Sequence, residues 1–569
     1  MSCNNYICIH NFRLKIVIFC KMKKNTASIF FTLLFCAFIS CSDEHNIKDE
    51  PDNPDGNQAF NANIKVPKYE DPFLYGSNMA YKNSNWQDQD VADLLAGNKN
   101  EGIEGVGVNS LRPALYEYFV EKYGYSIRVD AFKHYKNIGT INNTVFIGDR
   151  PSDAHREKKQ YVSGENSESY ENLYEPIWDN GENDTPVNDE NYYALYVYNL
   201  VKTYGDNVRF WEIKNEPDYT YTGAGNREPG EADNWWDNDP QPKDLKNWKA
   251  PIQNYVRLLR VSYEVIKHIN PDAYVCVGGI GYASFLDAIL RNTDNPDGGK
   301  VTDHYPHKGG AWFDCLSYHV YPMYYLRSWV GNNTPGNING FKYSRNSDAA
   351  AENVIIKKNN LVDLMKKYGY DGATYPMKEI IITEANIPHK QTNDYIGSQE
   401  AQRNFVVKLA ILAQMNEICG VYIYCPWDNK ESSDSSTDPY DYMGFYKPIP
   451  DAPSNNLRVN DAGVSWRTMK NLLNDYKYDI GETIRLNLSS TMSGAAFHSG
   501  NSNDHIYVLW ANTIENDRSE NASVNYTFPS GMNVKKIYSR QWNNKSAQTN
   551  GSSIQLTGAP IFIKVNEDF

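Results

Sequence analysis

From about residue 70 the chain alternates short apolar runs with longer amphipathic stretches, a rhythm that predicts strands each followed by a helix. The apolar runs fall at 74–79, 107–111, 144–148, 208–214, 274–279, 315–319, 379–383 and 420–425. Helical patterns lie between them at 88–97, 115–123, 190–204, 252–269, 285–292, 352–368 and 399–415, with a last one at 465–476. Eight such pairs predict an α/β chain folded as a closed (β/α)8 TIM barrel. An open doubly wound sheet is the runner-up, but no Gly-rich dinucleotide fingerprint follows an early strand. Beyond residue 478 the pattern shifts to short alternating runs, at 484–488, 506–511, 523–528, 534–538 and 554–556. These predict a C-terminal β-sandwich domain. The chain then divides into a signal region at 1–41, a flexible linker and lead-in at 42–69, a barrel at 70–477 and a β-sandwich at 478–569.

The first 41 residues are kept out of the fold. Lys23 and Lys24 precede an apolar stretch at 27–40, short for a bilayer span, which ends at Cys41 followed by Ser42, Asp43 and Glu44. This resembles a bacterial lipoprotein signal of the Bacteroidota type, with Cys41 as the lipidated residue. The implied location is the outer membrane, facing the cell surface, with the periplasm as the alternative and a lipid anchor as the sole membrane contact. The box Phe38-Ile39-Ser40 departs from the usual Leu-Ala-Gly form. Plain secretion or a retained anchor are the competing readings. Residues 42–60 are rich in Asp, Asn, Pro and Gly and read as a tether.

A formal net charge of −14 without a basic stripe argues against nucleic acid as a partner. It makes a neutral glycan easier to accept than a sulfated or uronic one. Cys276, Cys315, Cys419 and Cys425 lie in or beside apolar runs without metal-ligand spacing, so they read as buried thiols.

The candidate chemistry sits at two strand ends. The run Phe210-Trp211-Glu212-Ile213-Lys214-Asn215-Glu216-Pro217 is an apolar strand ending in an acid. The run Glu379-Ile380-Ile381-Ile382-Thr383-Glu384 has the same form. The C-terminal strand ends of a barrel carry catalytic groups, and two carboxyls presented there suit glycoside hydrolysis. Asn215-Glu216-Pro217 after the fourth strand, with Glu384 after the seventh, resembles the clan A retaining glycoside hydrolases over residues 70–477. The trailing β-domain is similar to families 39, 30 and 51. The resemblance implies Glu216 as acid/base and Glu384 as nucleophile, with no cofactor and no metal, on a monomer that acts on a carbohydrate. It further implies that Asn215 grips the sugar 2-hydroxyl, that Arg112 holds the nucleophile ionised, and that Trp427 forms the floor of the −1 subsite.

Alternation along the sixth strand puts Ser317, His319 and Tyr321 on one face, from which His319 or Tyr321 can reach the nucleophile or the sugar. The long loop after the fourth strand carries Trp235 and Trp236, candidates for distal subsites or for stapling the loop down. The β-sandwich is expected to buttress the barrel, glycan binding being the alternative, because no exposed aromatic platform stands out. The expected function is a retaining, endo-acting hydrolase of β-glycosidic bonds. A non-catalytic glycan-binding lipoprotein and a transglycosylase are the alternatives.

Overall fold

A computed structural model of the chain describes residues 65–220, 246–332, 339–454, 456–500, 504–513, 520–530, 536–549 and 551–566. Cys41, Trp235 and Trp236 lie outside the described residues.

Eight parallel strands form one sheet: β1 (Leu74–Asn78), β2 (Ser110–Arg112), β3 (Asn143–Ile147), β4 (Val208–Ile213), β5 (Tyr274–Cys276), β6 (Cys315–Val320), β7 (Glu379–Ala385) and β8 (Gly420–Ile423). Their order is β2-β1-β8-β7-β6-β5-β4-β3, which brings the two ends together as a barrel. Helices follow the strands in turn. They are α1 (Asp88–Ala96), α2 (Glu117–Tyr123), α3 (Val129–Asn137), α4 (Tyr192–Tyr204), α5 (Ile252–Ile269), α6 (Ala283–Arg291), α7 (Ser347–Lys367), α8 (Gln399–Met415) and α9 (Asp461–Leu473). The expected (β/α)8 barrel is the observed architecture.

At the seam between β2 and β3 side chains take over from the ladder. The Leu111 amide donates to Asn143 Oδ1 at 2.9 Å, and Tyr422 Oη reaches across from β8 to Ser110 Oγ at 2.6 Å and Thr144 Oγ1 at 2.8 Å. Gly76 on β1 makes room for that tyrosine, since a Cβ there would sit 2.4 Å from its ring.

The barrel interior is layered. Leu74, Phe210, Tyr274, Cys276, Cys315, Ile381 and Cys419 form an apolar lower cluster, and all four cysteines of the described chain are buried free thiols. Tyr69, from the lead-in, packs beneath it against Phe210 at 5.6 Å, and Tyr274 Oη donates to Pro67 O at 3.0 Å. One side-chain step nearer the strand C-termini, the same inward parity gives Glu212, Ser317 and Thr383. Apolar floor and charged mouth thus come from one strand pattern.

The C-terminal part has two antiparallel sheets. The larger orders β9 (Tyr476–Asp479), β10 (Met492–Ser499), β11 (Asp504–Ala511), β15 (Ile561–Asn566) and β13 (Lys536–Arg540); the smaller pairs β12 (Ser523–Thr527) with β14 (Ser553–Thr557). Period-two alternation divides the large sheet's faces. Phe497, Ile506, Val508, Trp510 and Phe562 join the barrel's core, whereas Ala496, Tyr507, Leu509, Ile563 and Val565 pack with Tyr526 and Leu556 of the small sheet.

One expected strand is corrected. Residues 480–485 form a helix, α10 (Ile480–Arg485), started by Asp479, whose side chain accepts from the Glu482 amide at 2.8 Å. Of the apolar positions in the expected strand 484–488, Ile484 is exposed on that helix, while Leu486, just beyond its end, is buried in the core of the C-terminal sheets.

Candidate active site

The end of β4 turns sharply. Lys214 and Glu216 both take left-handed φ values, +67° and +47°, a conformation that costs a side-chain-bearing residue about 1–2 kcal/mol. Packing holds the turn. Lys214, fully buried, donates to Gly148 O at 3.0 Å and Glu168 O at 3.1 Å and lies 3.4 Å from Asp149. The Asn215 amide donates to Asp149 Oδ2 at 2.9 Å, and the Glu216 amide to Gly278 O at 2.8 Å. Gly278 is required there, because a Cβ would lie 2.3 Å from Ile213 O.

Arg112, at the end of β2, is buried at the centre of the mouth. Its Nη1 lies 2.8 Å from Glu384 Oε1, its Nε donates to Glu212 Oε2 at 2.7 Å, and its Nη2 donates to Asn215 Oδ1 at 2.6 Å. Tyr321 Oη donates to the other Glu384 oxygen at 2.6 Å. Both Glu384 oxygens therefore meet donors, one of them cationic.

Glu216 has the opposite surroundings. Burial is the main cause that pushes its carboxyl up to about 7, the charge on Glu212 adding to it and the cations Arg112 and Lys357 opposing. Its Oε1 lies 2.8 Å from His319 Nδ1. Burial pushes His319 down to about 4, so the ring is neutral at pH 7 and carries one proton. The hydrogen-bond chain places that proton. Thr383 Oγ1 donates to Glu212 Oε1 at 2.7 Å, so it accepts from His319 Nε2 at 3.0 Å. Nδ1 is then bare, and the proton between it and Glu216 belongs to the Glu216 carboxyl. Ser317 Oγ completes the chain by donating to Glu212 Oε1.

One oxygen from each of Glu216 and Glu384 and a ring nitrogen of His319 all lie within 4.8 Å of one another. Such a trio could also ligate a metal. Within it Glu384 is engaged by Arg112 and Tyr321, and His319 Nε2 by Thr383, while His319 Nδ1 faces Glu216. Beside the trio, burial raises Asp218 and lowers Lys357; Asp218 Oδ2 accepts from the Gly281 and Tyr282 amides, and Lys357 Nζ donates to Gly281 O.

The structure thus brings Arg112, Asn215, Glu216, His319, Tyr321 and Glu384 together. The described contacts of Trp427 are with other residues. The backbone after β8 is pinned to residues 443–446, with the Tyr446 amide donating to Pro426 O at 3.0 Å and the Asp428 amide to Tyr446 O at 2.8 Å. That turns the Trp427 ring into the core, buried against Trp86 at 6.2 Å. The aromatic ring that β8 does give the mouth is half-buried Tyr424. The charges of Glu384 and Glu216 act on its hydroxyl, and it meets Tyr321 at 5.9 Å and Tyr440 at 6.0 Å. Glu212, Thr383, Asn78 and Tyr424 were not singled out from the sequence. Glu212 had a signal, being an acid at inward parity in an otherwise apolar strand. Asn78, whose Nδ2 donates to Thr383 O at 3.2 Å, had none.

No protein-family model matches the chain, and no curated protein matches it by sequence. Solved structures resemble it. A family 39 glycoside hydrolase from the gut symbiont Bacteroides cellulosilyticus WH2 superposes with a TM-score of 0.51 at 15% identity, over 87% of this chain and 81% of that one. The catalytic domain of GH30 xylanase C from Talaromyces cellulolyticus gives 0.47 at 11% identity, over 88% and 98%. A glucosidase from Croceicoccus marinus gives 0.47 at 12%, over 90% and 98%. At these identities the first likeness bears on the fold, a barrel followed by antiparallel sheets.

Proposed function

We propose that the chain is a retaining glycoside hydrolase that cleaves β-glycosidic bonds of an oligo- or polysaccharide by double displacement. One observation carries the reading: the two carboxyls approach within 4.8 Å, oxygen to oxygen, in opposite electrostatic settings. Inverting enzymes leave about 6.5–9.5 Å between carboxyls for a water, whereas a retaining pair stands about 5–5.5 Å apart. The Glu384 carboxylate, held by Arg112 and Tyr321, attacks the anomeric carbon. The bond to the leaving oxygen breaks as Glu216 delivers its proton to that oxygen. In the second half, the Glu216 carboxylate takes a proton from water, whose oxygen displaces Glu384 from the anomeric carbon. The rings of Tyr321, Tyr424 and Tyr440 offer apolar faces to a pyranose.

The test is stereochemical. Proton NMR of products from a β-linked aryl oligoglycoside should show the β-anomer first. Glu216→Gln should lower kcat by about 10²–10⁴-fold on substrates with poor leaving groups, by loss of acid catalysis. Wild-type turnover in Glu384→Gln, or an α-anomer formed first, would sink the mechanism.

A further inference from the structure

Away from the mouth, a cleft of about 800 Å³ opens between the first turns of α8 and the C-terminal sheets. That volume lies in the range of ligand sites, about 300–1,000 Å³. Its lining is of two kinds. Half-buried Trp542 supplies an aromatic surface, and Gln541, Gln548 and Gln555 surround it with exposed planar amides. The indole is held in place by the Arg403 guanidinium, 4.7 Å from its ring centre. Arg403 is held in turn by Glu400 at 3.1 Å and Asp461 at 3.6 Å. The aromatic surface is therefore fixed before any ligand arrives, and little ordering entropy remains to be lost on binding.

The place of the cleft in the fold matters as much. In a parallel barrel the strand C-termini and the N-termini of the following helices lie at the same end. Glu400 and Arg403 stand in the first turns of α8, which follows the strand bearing Glu384, and Asp461 begins α9. Glu520, which also lines the cleft, accepts from the Ser347 amide at the start of α7 at 2.8 Å. The cleft thus opens at the end of the barrel that carries the carboxyl pair.

We infer that this cleft is a second carbohydrate-binding site, separate from the carboxyl pair, which takes a segment of a neutral glycan chain. An indole packs against the C–H face of a pyranose, and amide side chains offer a donor and an acceptor to neighbouring hydroxyls. Within the cleft Arg403 is already paired with two carboxylates, which leaves amide chemistry to select the ligand and favours uncharged sugars. The inference rests on the proposed function for the class of ligand, not for the site itself.

Affinity electrophoresis tests it, in gels containing arabinoxylan, xyloglucan, galactomannan or mixed-linkage β-glucan. The protein carries Glu384→Gln so that the polymer survives. Adding Trp542→Ala should weaken retardation at least about fivefold in one of these gels, roughly the loss of one stacking contact. Gln548→Ala, which leaves the Arg403 stack intact, should weaken it too. In the otherwise wild-type chain both substitutions should leave kcat/KM on a small aryl glycoside unchanged. Equal retardation with and without Trp542 in every gel, or no retardation in any, overturns the inference. Hydrolysis failing while Trp542-dependent retardation persists would overturn the proposed function and leave the second site standing.

Discussion

Glu216 is held in the left-handed region, its carboxyl is half-buried and raised by desolvation, and it donates to a neutral imidazole; the first two of these work against stability. A carboxyl raised from 4.5 to about 7 imposes no burial cost below the lower value, when it is protonated folded or unfolded. The cost grows as pH rises through that window and is complete above 7, at about 3 kcal/mol. Glu216→Gln should therefore raise the melting temperature at pH 8 and leave it nearly unchanged at pH 4.5, which calorimetry at the two pH values would read. The same ionisation should end activity on the alkaline side, with kcat/KM falling above about pH 7. Residues carried on strands were legible in the sequence because alternation fixes which way they point, as for His319. Beyond the last strand residue alternation has no hold, and at Trp427 the backbone direction follows loop bonds to residues 443–446.

At the scale of elements, the loop after β5 sets the position of the acid. Gly278 receives the Glu216 amide, and Gly279, at φ +55°, backs onto His319 so closely that a Cβ would stand 2.2 Å from Nε2. Gly279→Ala should displace the imidazole, loosen the Glu216 proton and lower kcat about 10²-fold or more while far-UV circular dichroism stays native. An unchanged kcat would show that His319 has no bearing on the acid. The barrel's strands were readable because burial on both faces demands apolar runs. The C-terminal sheets were read less well. In β10 the small residues Gly494, Ala495 and Ala496 hide a strand that lies between two neighbours, and β15 was passed over beside β14. Pairing across the sheet makes these strands, and pairing is not visible in a single segment.

Across the whole molecule, Asp348 ties the two parts together. It accepts from Trp510 Nε1 at 2.8 Å and the Thr513 amide at 3.0 Å, and lies 3.0 Å from the ammonium of fully buried Lys408. Asp348→Ala strands that ammonium without a counter-charge and should cost about 3–5 kcal/mol in urea unfolding; a loss under about 1 kcal/mol would mean that the two parts are held by apolar contact alone. The packing of Phe497, Val508 and Trp510 into the barrel's core accords with the expected buttress, and the Trp542 cleft gives the same domain a second task. The closed floor has a consequence for traffic. Tyr69, Phe210 and Tyr274 plug the barrel below the carboxyls, so among the described residues the site has a front entrance and no back door. In the proposed reaction the first product must back out through the mouth before a water can come in behind it, and a slow-leaving product would hold the queue.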